Sequence, residues 1–254
     1  MVASGAALAQ VVAIDVGHDA AHPGAMGAYG QPEFEYNRAL AGVVDAQLRR
    51  AGWITTRIQD TGAGMPLEAR VPRAVAAGAA LLVSIHHDSV QPRYLESAQR
   101  EGGERFRGYS LFVSRQNAQP EASLACARAV GAALQGAGFV PTVHHAEPIE
   151  GENRPWADAA LGVYFYDGLR VLRTAPMPAL LVEAGVIAHR DEARAAAHPA
   201  YQERFAAALA RGLDACRPPP QNPPQASECP KRAPGNHLRP AASELARGST
   251  ALQP

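Results

Sequence analysis

Residues 11–18 read Val-Val-Ala-Ile-Asp-Val-Gly-His. A β-branched apolar run, broken only by Ala13 and Asp15, suits a strand buried on both faces of a parallel sheet. It closes on a metal-ligand type, His18. Two later runs end the same way: residues 81–88, Leu-Leu-Val-Ser-Ile-His-His-Asp, carry His86, and residues 178–185, Pro-Ala-Leu-Leu-Val-Glu-Ala-Gly, carry Glu183. Sites in open α/β sheets form beyond the carboxyl ends of strands, so these runs should deliver two imidazoles and a carboxylate to one place.

The intervening sequence alternates helix with strand. From Glu33 to Ala51, Tyr36, Leu40, Val43, Val44 and Leu48 recur at helical spacing, and Gly52 supplies a stop. Trp53 to Ile58 reads as a strand, Leu67 to Ala77 as a helix, Leu81 to Ile85 and Tyr109 to Val113 as strands, and Ala122 to Gln135 as a helix. Val171 to Arg173 and Ala179 to Val182 read as the last strands, and Pro199 to Cys216 as a closing helix with Tyr201, Phe205, Leu209 and Leu213 on one face. The pattern predicts a single three-layer αβα domain with a mostly parallel central sheet, over residues 11–216.

Length and charge narrow the function. A chain of 254 residues accommodates one sizeable α/β core. Lys plus Arg equals Asp plus Glu at 24 each, which removes the electrostatic case for nucleic acid or an anionic membrane. No apolar run is long enough to span a bilayer. Residues 1–10 contain Ala7-Leu8-Ala9, a small-x-small cleavage pattern, but lack a basic region. They read either as the remnant of a secretory signal, which would place the protein in the periplasm or outside the cell, or as an Ala-rich leader. Residues 217–254 are Pro-rich and poor in large apolar side chains, so they have little to bury against the entropy of ordering; a disordered tail is expected. Cys126, Cys216 and Cys229 show no CxxC spacing. Cys126 reads as helix packing, and Cys216 and Cys229 either pair or stay free.

A fourth donor comes from the helix after the first strand. At 100° per residue Glu33 lies about 20° from core-facing Leu40, whereas Glu35 lies about 140° away, so Glu33 is favoured over Glu35. Two His and one carboxylate leave zinc a fourth position for water, the arrangement of a catalytic site. Glu183, behind Ala179-Leu180-Leu181-Val182, would be costly as a buried charge unless paired or metal-linked. It is the natural proton carrier, with a salt bridge to Arg173 or Arg190 as the plainer alternative.

These residues also resemble the zinc-dependent N-acetylmuramoyl-L-alanine amidases of amidase-3 type. The motifs are Asp15-Val16-Gly17-His18, Pro23-Gly24-Ala25-Met26-Gly27, Glu33 with Asn37, Thr56-Arg57, Ser84-Ile85-His86 and Val182-Glu183-Ala184-Gly185, in order across residues 11–215. The resemblance implies zinc as cofactor, His18, Glu33 and His86 as its ligands, and Glu183 as the catalytic carboxylate. It implies a peptidoglycan or muropeptide substrate cut between N-acetylmuramic acid and L-alanine, and room for a regulatory activator protein. Asp19-Ala20 and His22 depart from the family's usual residues in the loop after His18.

Other residues invite weaker readings. His87 should point opposite His86 and serve a supporting role. His144 and His145, near Glu147, Glu150 and Glu152, read as solvated loop residues, with substrate contact or a lid second; Asn153-Arg154 could grip a substrate carboxylate. Two competing functions remain: another zinc peptidase or amidohydrolase acting on small acyl-amino acids, and a murein-binding protein with a dead site.

Overall fold

A computed structural model describes residues 10–60, 62–90, 94 and 106–217. The leader up to residue 9, most of the charged loop of residues 91–107, and the Pro-rich tail from residue 218, including Cys229, lie outside the described residues.

The expected β-rich runs form strands β1 (Val11–Val16), β2 (Ile54–Ile58), β3 (Ala79–Asp88) and β4 (Ser110–Val113). Two short strands that the sequence reading missed, β5 (Trp156–Asp158) and β6 (Val163–Phe165), precede β7 (Ala179–Val186). The strand order is β2-β1-β3-β7-β4-β6-β5. β1 pairs in parallel with β2 and β3, and β3 with β7; β4 runs antiparallel to β7, and β5 to β6. The sheet is therefore mostly parallel, and β1, β3 and β7 stand side by side with their carboxyl ends together.

Helices α1 (Glu33–Arg50), α2 (Leu67–Ala76), α3 (Pro120–Gly136), α4 (Arg170–Thr174), α5 (Arg190–Ala196) and α6 (Pro199–Ala215) complete the layers. Alternate strand residues face opposite ways. Val12, Ile14, Val16, Leu81, Val83, Ile85, Leu180 and Val182 pack with residues of α1, α3 and α6. Ala13, Ile58, Leu82, Ala179 and Leu181 pack with residues of α2 and α4. Each Leu, Ile or Val fully buried in this way contributes about 1.5–3 kcal/mol, which lets the same strands carry buried polar groups at their ends.

Three expectations need correction. Val171 to Arg173 belongs to helix α4, not to a strand. Val171 and Leu172 are both buried, and two apolar residues in a row cannot reveal a period; Asn117 Nδ2 donates to the carbonyls of Leu172, Ala175 and Met177. Second, Cys126 on α3 forms a disulfide with Cys216, just past α6, across 90 residues of chain and with Cα atoms 5.0 Å apart. Cys216 is therefore not the partner of Cys229. The two helices cross closely at Gly212, where a Cβ would overlap the backbone of Val130. Third, His144 and His145 are not solvated: they form a 3-10 turn (His144–Ala146) and are 0% and 7% exposed.

Candidate active site

His18 follows β1 and Gly17 with a left-handed backbone, φ 66°. Its carbonyl accepts from Arg70 Nη2 at 3.0 Å, and Arg70 Nη1 also bonds Val16 O and Asp15 Oδ1 at 2.9 and 3.0 Å. Ser84 donates to the other Asp15 oxygen at 2.7 Å. Asp15, Ser84 and Arg70 are buried, so this brace ties β1, β3 and α2 together under the loop that carries His18. Removing one partner of such a buried pair costs about 3–5 kcal/mol, because the other charge is left unpaired.

His86 rises from the same face of β3. Glu33, at the start of α1, lies between the two rings: Oε2 is 3.0 Å from His18 Nε2 and Oε1 is 3.0 Å from His86 Nδ1. Glu35 points outward and pairs with Arg38 at 2.7 Å. Two glycines leave room for this approach. A Cβ on Gly17 would overlap the His86 ring, and one on Gly24, φ 77°, would overlap Glu33 Oε2 and the His18 ring.

Asn37, one turn along α1, donates through Nδ2 to Glu33 Oε1 at 3.1 Å and to Gly17 O at 3.2 Å. An ionised carboxylate only accepts, so the Asn37 oxygen faces away, and His87 Nδ1 donates to it at 2.8 Å. His87 thus lies on the α1 side of the sheet, opposite His86, and supports the cluster through Asn37. Burial depresses the His87 pKa to about 4, so the ring stays neutral. Burial opposes the charge on Glu33, but its bonds to His18 and His86 outweigh that and hold its carboxyl well below the usual carboxylate range. For His18, burial works against protonation and the Glu33 bond for it, with a net rise.

The three donor types suit a divalent metal. Tetrahedral zinc with nitrogen and oxygen ligands at 2.0–2.2 Å places ligand atoms about 3.3 Å apart, close to the spacings found here. His18, Glu33 and His86 each offer an atom within 4.8 Å of the others.

Glu183 sits on β7 in register with His86. Its Oε2 is closed to solvent and has no hydrogen-bond partner, and neither Arg173 nor Arg190 bonds it there. Burial first, then repulsion from Asp88, Glu33 and Glu152, pushes its pKa well up. Glu183 lines a cavity of about 220 Å³ with Asp88, His145, Glu152 and Arg154. Leu169 and Leu181 border this cavity and also a larger one, about 600 Å³, where Met65, Leu67 and Val171 form an apolar wall facing His18 and His86. Thr56 and Arg57 do not line either cavity; Arg57 pairs with Asp60 on β2's side of the sheet. Asp19, which the sequence reading flagged as a departure, caps its own loop by accepting from the backbone of Ala21 and His22 at 2.8 and 2.7 Å. Arg70 was overlooked, although a lone Arg in an otherwise apolar helical face, next to Val71 and Ala74, was the available signal.

The amidase-3 family model, N-acetylmuramoyl-L-alanine amidase, matches residues 12–215. The chain belongs to this family. Its reaction is hydrolysis of the amide that joins N-acetylmuramic acid to L-alanine in peptidoglycan. The amidase is similar in structure to N-acetylmuramoyl-L-alanine amidase AmiC2 of Nostoc punctiforme, with 25% identity and a TM-score of 0.63 over 80% of this chain and 94% of that one. It is similar to the catalytic domain of CwlV from Bacillus (Paenibacillus) polymyxa var. colistinus, with 25% identity and a TM-score of 0.61 over 80% and 96%. It shares its fold with Ami1 of Mycobacterium smegmatis, at 20% identity and a TM-score of 0.68 over 83% and 98%. No curated protein matches the amidase by sequence.

Proposed function

We propose that this amidase cuts peptidoglycan with zinc held by His18, Glu33 and His86 and with Glu183 as proton carrier. The observation that supports it most is the position of Glu33, with one oxygen 3.0 Å from each imidazole at the carboxyl ends of β1 and β3. Zinc bound there would polarise the scissile carbonyl and lower the pKa of water from 15.7 to roughly 7.

The chain's own groups supply the rest. Asn37 fixes the Glu33 carboxylate, and neutral His87 fixes Asn37, so both oxygens of Glu33 keep their direction. Glu183 takes a proton from the attacking water and gives it to the leaving amine of L-alanine. Its raised proton affinity makes it a stronger base and lets it keep the proton until the amine departs. The larger cavity, apolar on one wall, would seat the muropeptide beside His18 and His86. Arg154, stacked 3.8 Å from the centre of the Tyr166 ring and lining the Glu183 cavity, is placed to grip a carboxylate of the stem peptide.

A site of action outside the cytoplasm follows from this substrate and agrees with the Cys126–Cys216 disulfide, since such bonds persist in oxidising compartments. No helix of the described residues is long and apolar enough to cross a membrane. The test is incubation of the purified protein with murein sacculi. Soluble peptides with a free N-terminal L-alanine should appear, disappear with chelator and return with added zinc. Release of free amino acids instead would favour a different amidohydrolase, and chelator-insensitive release would remove the metal from the reading.

A further inference from the structure

Among the described residues, one other group of side chains has metal-ligand geometry: Asp88, His144 and His145. Asp88 ends β3, two positions beyond His86 and on the same face, so its Cα lies roughly 7 Å further along the strand. The two histidines come from the 3-10 turn. Nε2 of His144 and Nε2 of His145 each lie 3.0 Å from the same atom, Asp88 Oδ2. This is the donor spacing of the His18–Glu33–His86 cluster.

The contacts inside this group are not ordinary hydrogen bonds. Asp88 Oδ2 and His144 Nε2 are closed to solvent, yet neither makes a well-directed hydrogen bond. Burying polar atoms without such bonds costs about 1–3 kcal/mol each; the ion-pair contacts with Asp88 offset part of this, and a shared cation would offset more. The far side of each ring is already held. His144 Nδ1 lies 2.6 Å from Thr142 Oγ1, and His145 Nδ1 lies 2.7 Å from Glu152 Oε2. The Glu152 carboxylate takes a hydrogen from His145 Nδ1, while the Thr142 hydroxyl can donate to or accept from His144 Nδ1. Burial opposes charge on His145, but Asp88 and Glu152 outweigh it and raise its pKa to about 9, so a metal ion would take the place of the proton at Nε2. The Ser110 hydroxyl lies 3.1 Å from His145 Nε2 and can either accept from it or donate to it. Glu183 Oε2, buried and without a partner, lines the same cavity as Asp88 and His145.

We propose that Asp88, His144 and His145 form a second divalent-metal site, separate from the His18–Glu33–His86 cluster. Two imidazoles and one carboxylate suit zinc, with an open position toward the cavity that Glu183 and Arg154 line. The two sites adjoin along β3, and Glu183 borders the second while standing in register with His86 of the first.

Zinc titration of the chelator-stripped full chain, followed by calorimetry and elemental analysis, tests this. The wild type should take up two zinc ions per chain. Asp88→Asn, which keeps the side-chain volume, should take up one, as should His144→Asn, with thermal melts checking that each variant folds. His18→Ala should also retain one, held by the second site. A wild type that saturates at one zinc and a His18→Ala variant that binds none would overturn the proposal, making the group a plain ion-pair network, while leaving the first site's assignment intact. Two zinc ions in the wild type and in a folded Asp88→Asn variant alike would overturn it too. A wild type with one zinc, lost in Asp88→Asn but kept in His18→Ala, would support the second site and contradict the first.

Discussion

At Gly17 and Gly24 a hydrogen in place of a side chain decides whether the His18–Glu33–His86 cluster can assemble, because a Cβ at either would overlap a donor. His87 gives the same neighbourhood a pH signature. Its folded pKa is about 4 against 6.5 for a free imidazole. Between these values the unfolded chain binds a proton that the folded chain declines, so stability rises with pH across that window and is lost on acidification. Denaturant melts of the metal-stripped protein should show a contribution of up to about 1.4 kcal/mol per pH unit there. His87→Phe should flatten the dependence; equal slopes in the two proteins would contradict the assignment. Arg154→Ala should raise KM for muropeptides roughly tenfold with kcat little changed, as for a lost charge-assisted bond of about 1.5 kcal/mol or more. Arg154→Lys should not rescue it, since an ammonium neither stacks on Tyr166 nor forks. An unchanged KM would remove Arg154 from recognition.

At the scale of elements, the long runs were legible and the short ones were not. β1, α1 and β7 carry enough periodic or apolar sequence to declare themselves, and they place His18 just past β1, Glu33 at the start of α1 and Glu183 within β7. Helix parity separated Glu33 from Glu35, and strand parity separated His86 from His87. β5 and β6 span three residues each, too few to show a period, and α4 spans five. The turn at His144 is polar in sequence but buried in space, because its partners Asp88 and Ser110 come from distant segments. Long-range pairing also joins α3 to α6 through Cys126 and Cys216. Closing a loop of this length is worth about 4–5 kcal/mol through the unfolded state. Replacing both cysteines by Ala should therefore lower the unfolding free energy by about that amount while murein hydrolysis persists at a permissive temperature. An unchanged unfolding midpoint would show that the bridge contributes nothing.

At the scale of the whole molecule, the last described residue, Arg217, is packed: its guanidinium lies 3.9 Å from the Trp53 ring centre and donates to Ala51 O at 2.9 Å. A chain ending after Arg217 should keep its melting temperature and its hydrolysis of sacculi; loss of either would assign the Pro-rich segment a place on the domain. The strand order that brings β1, β3 and β7 together was legible only as a fold-class expectation, since no residue in those runs states its neighbour. The central claim is that one cluster holds zinc while Glu183 moves the proton. Its most direct test is the zinc content and turnover of Glu183→Gln, which keeps the shape and removes the base. Zinc at the His18–Glu33–His86 site should persist while turnover on murein falls by roughly 10² to 10⁴; loss of that zinc, or near-normal turnover, would contradict the account.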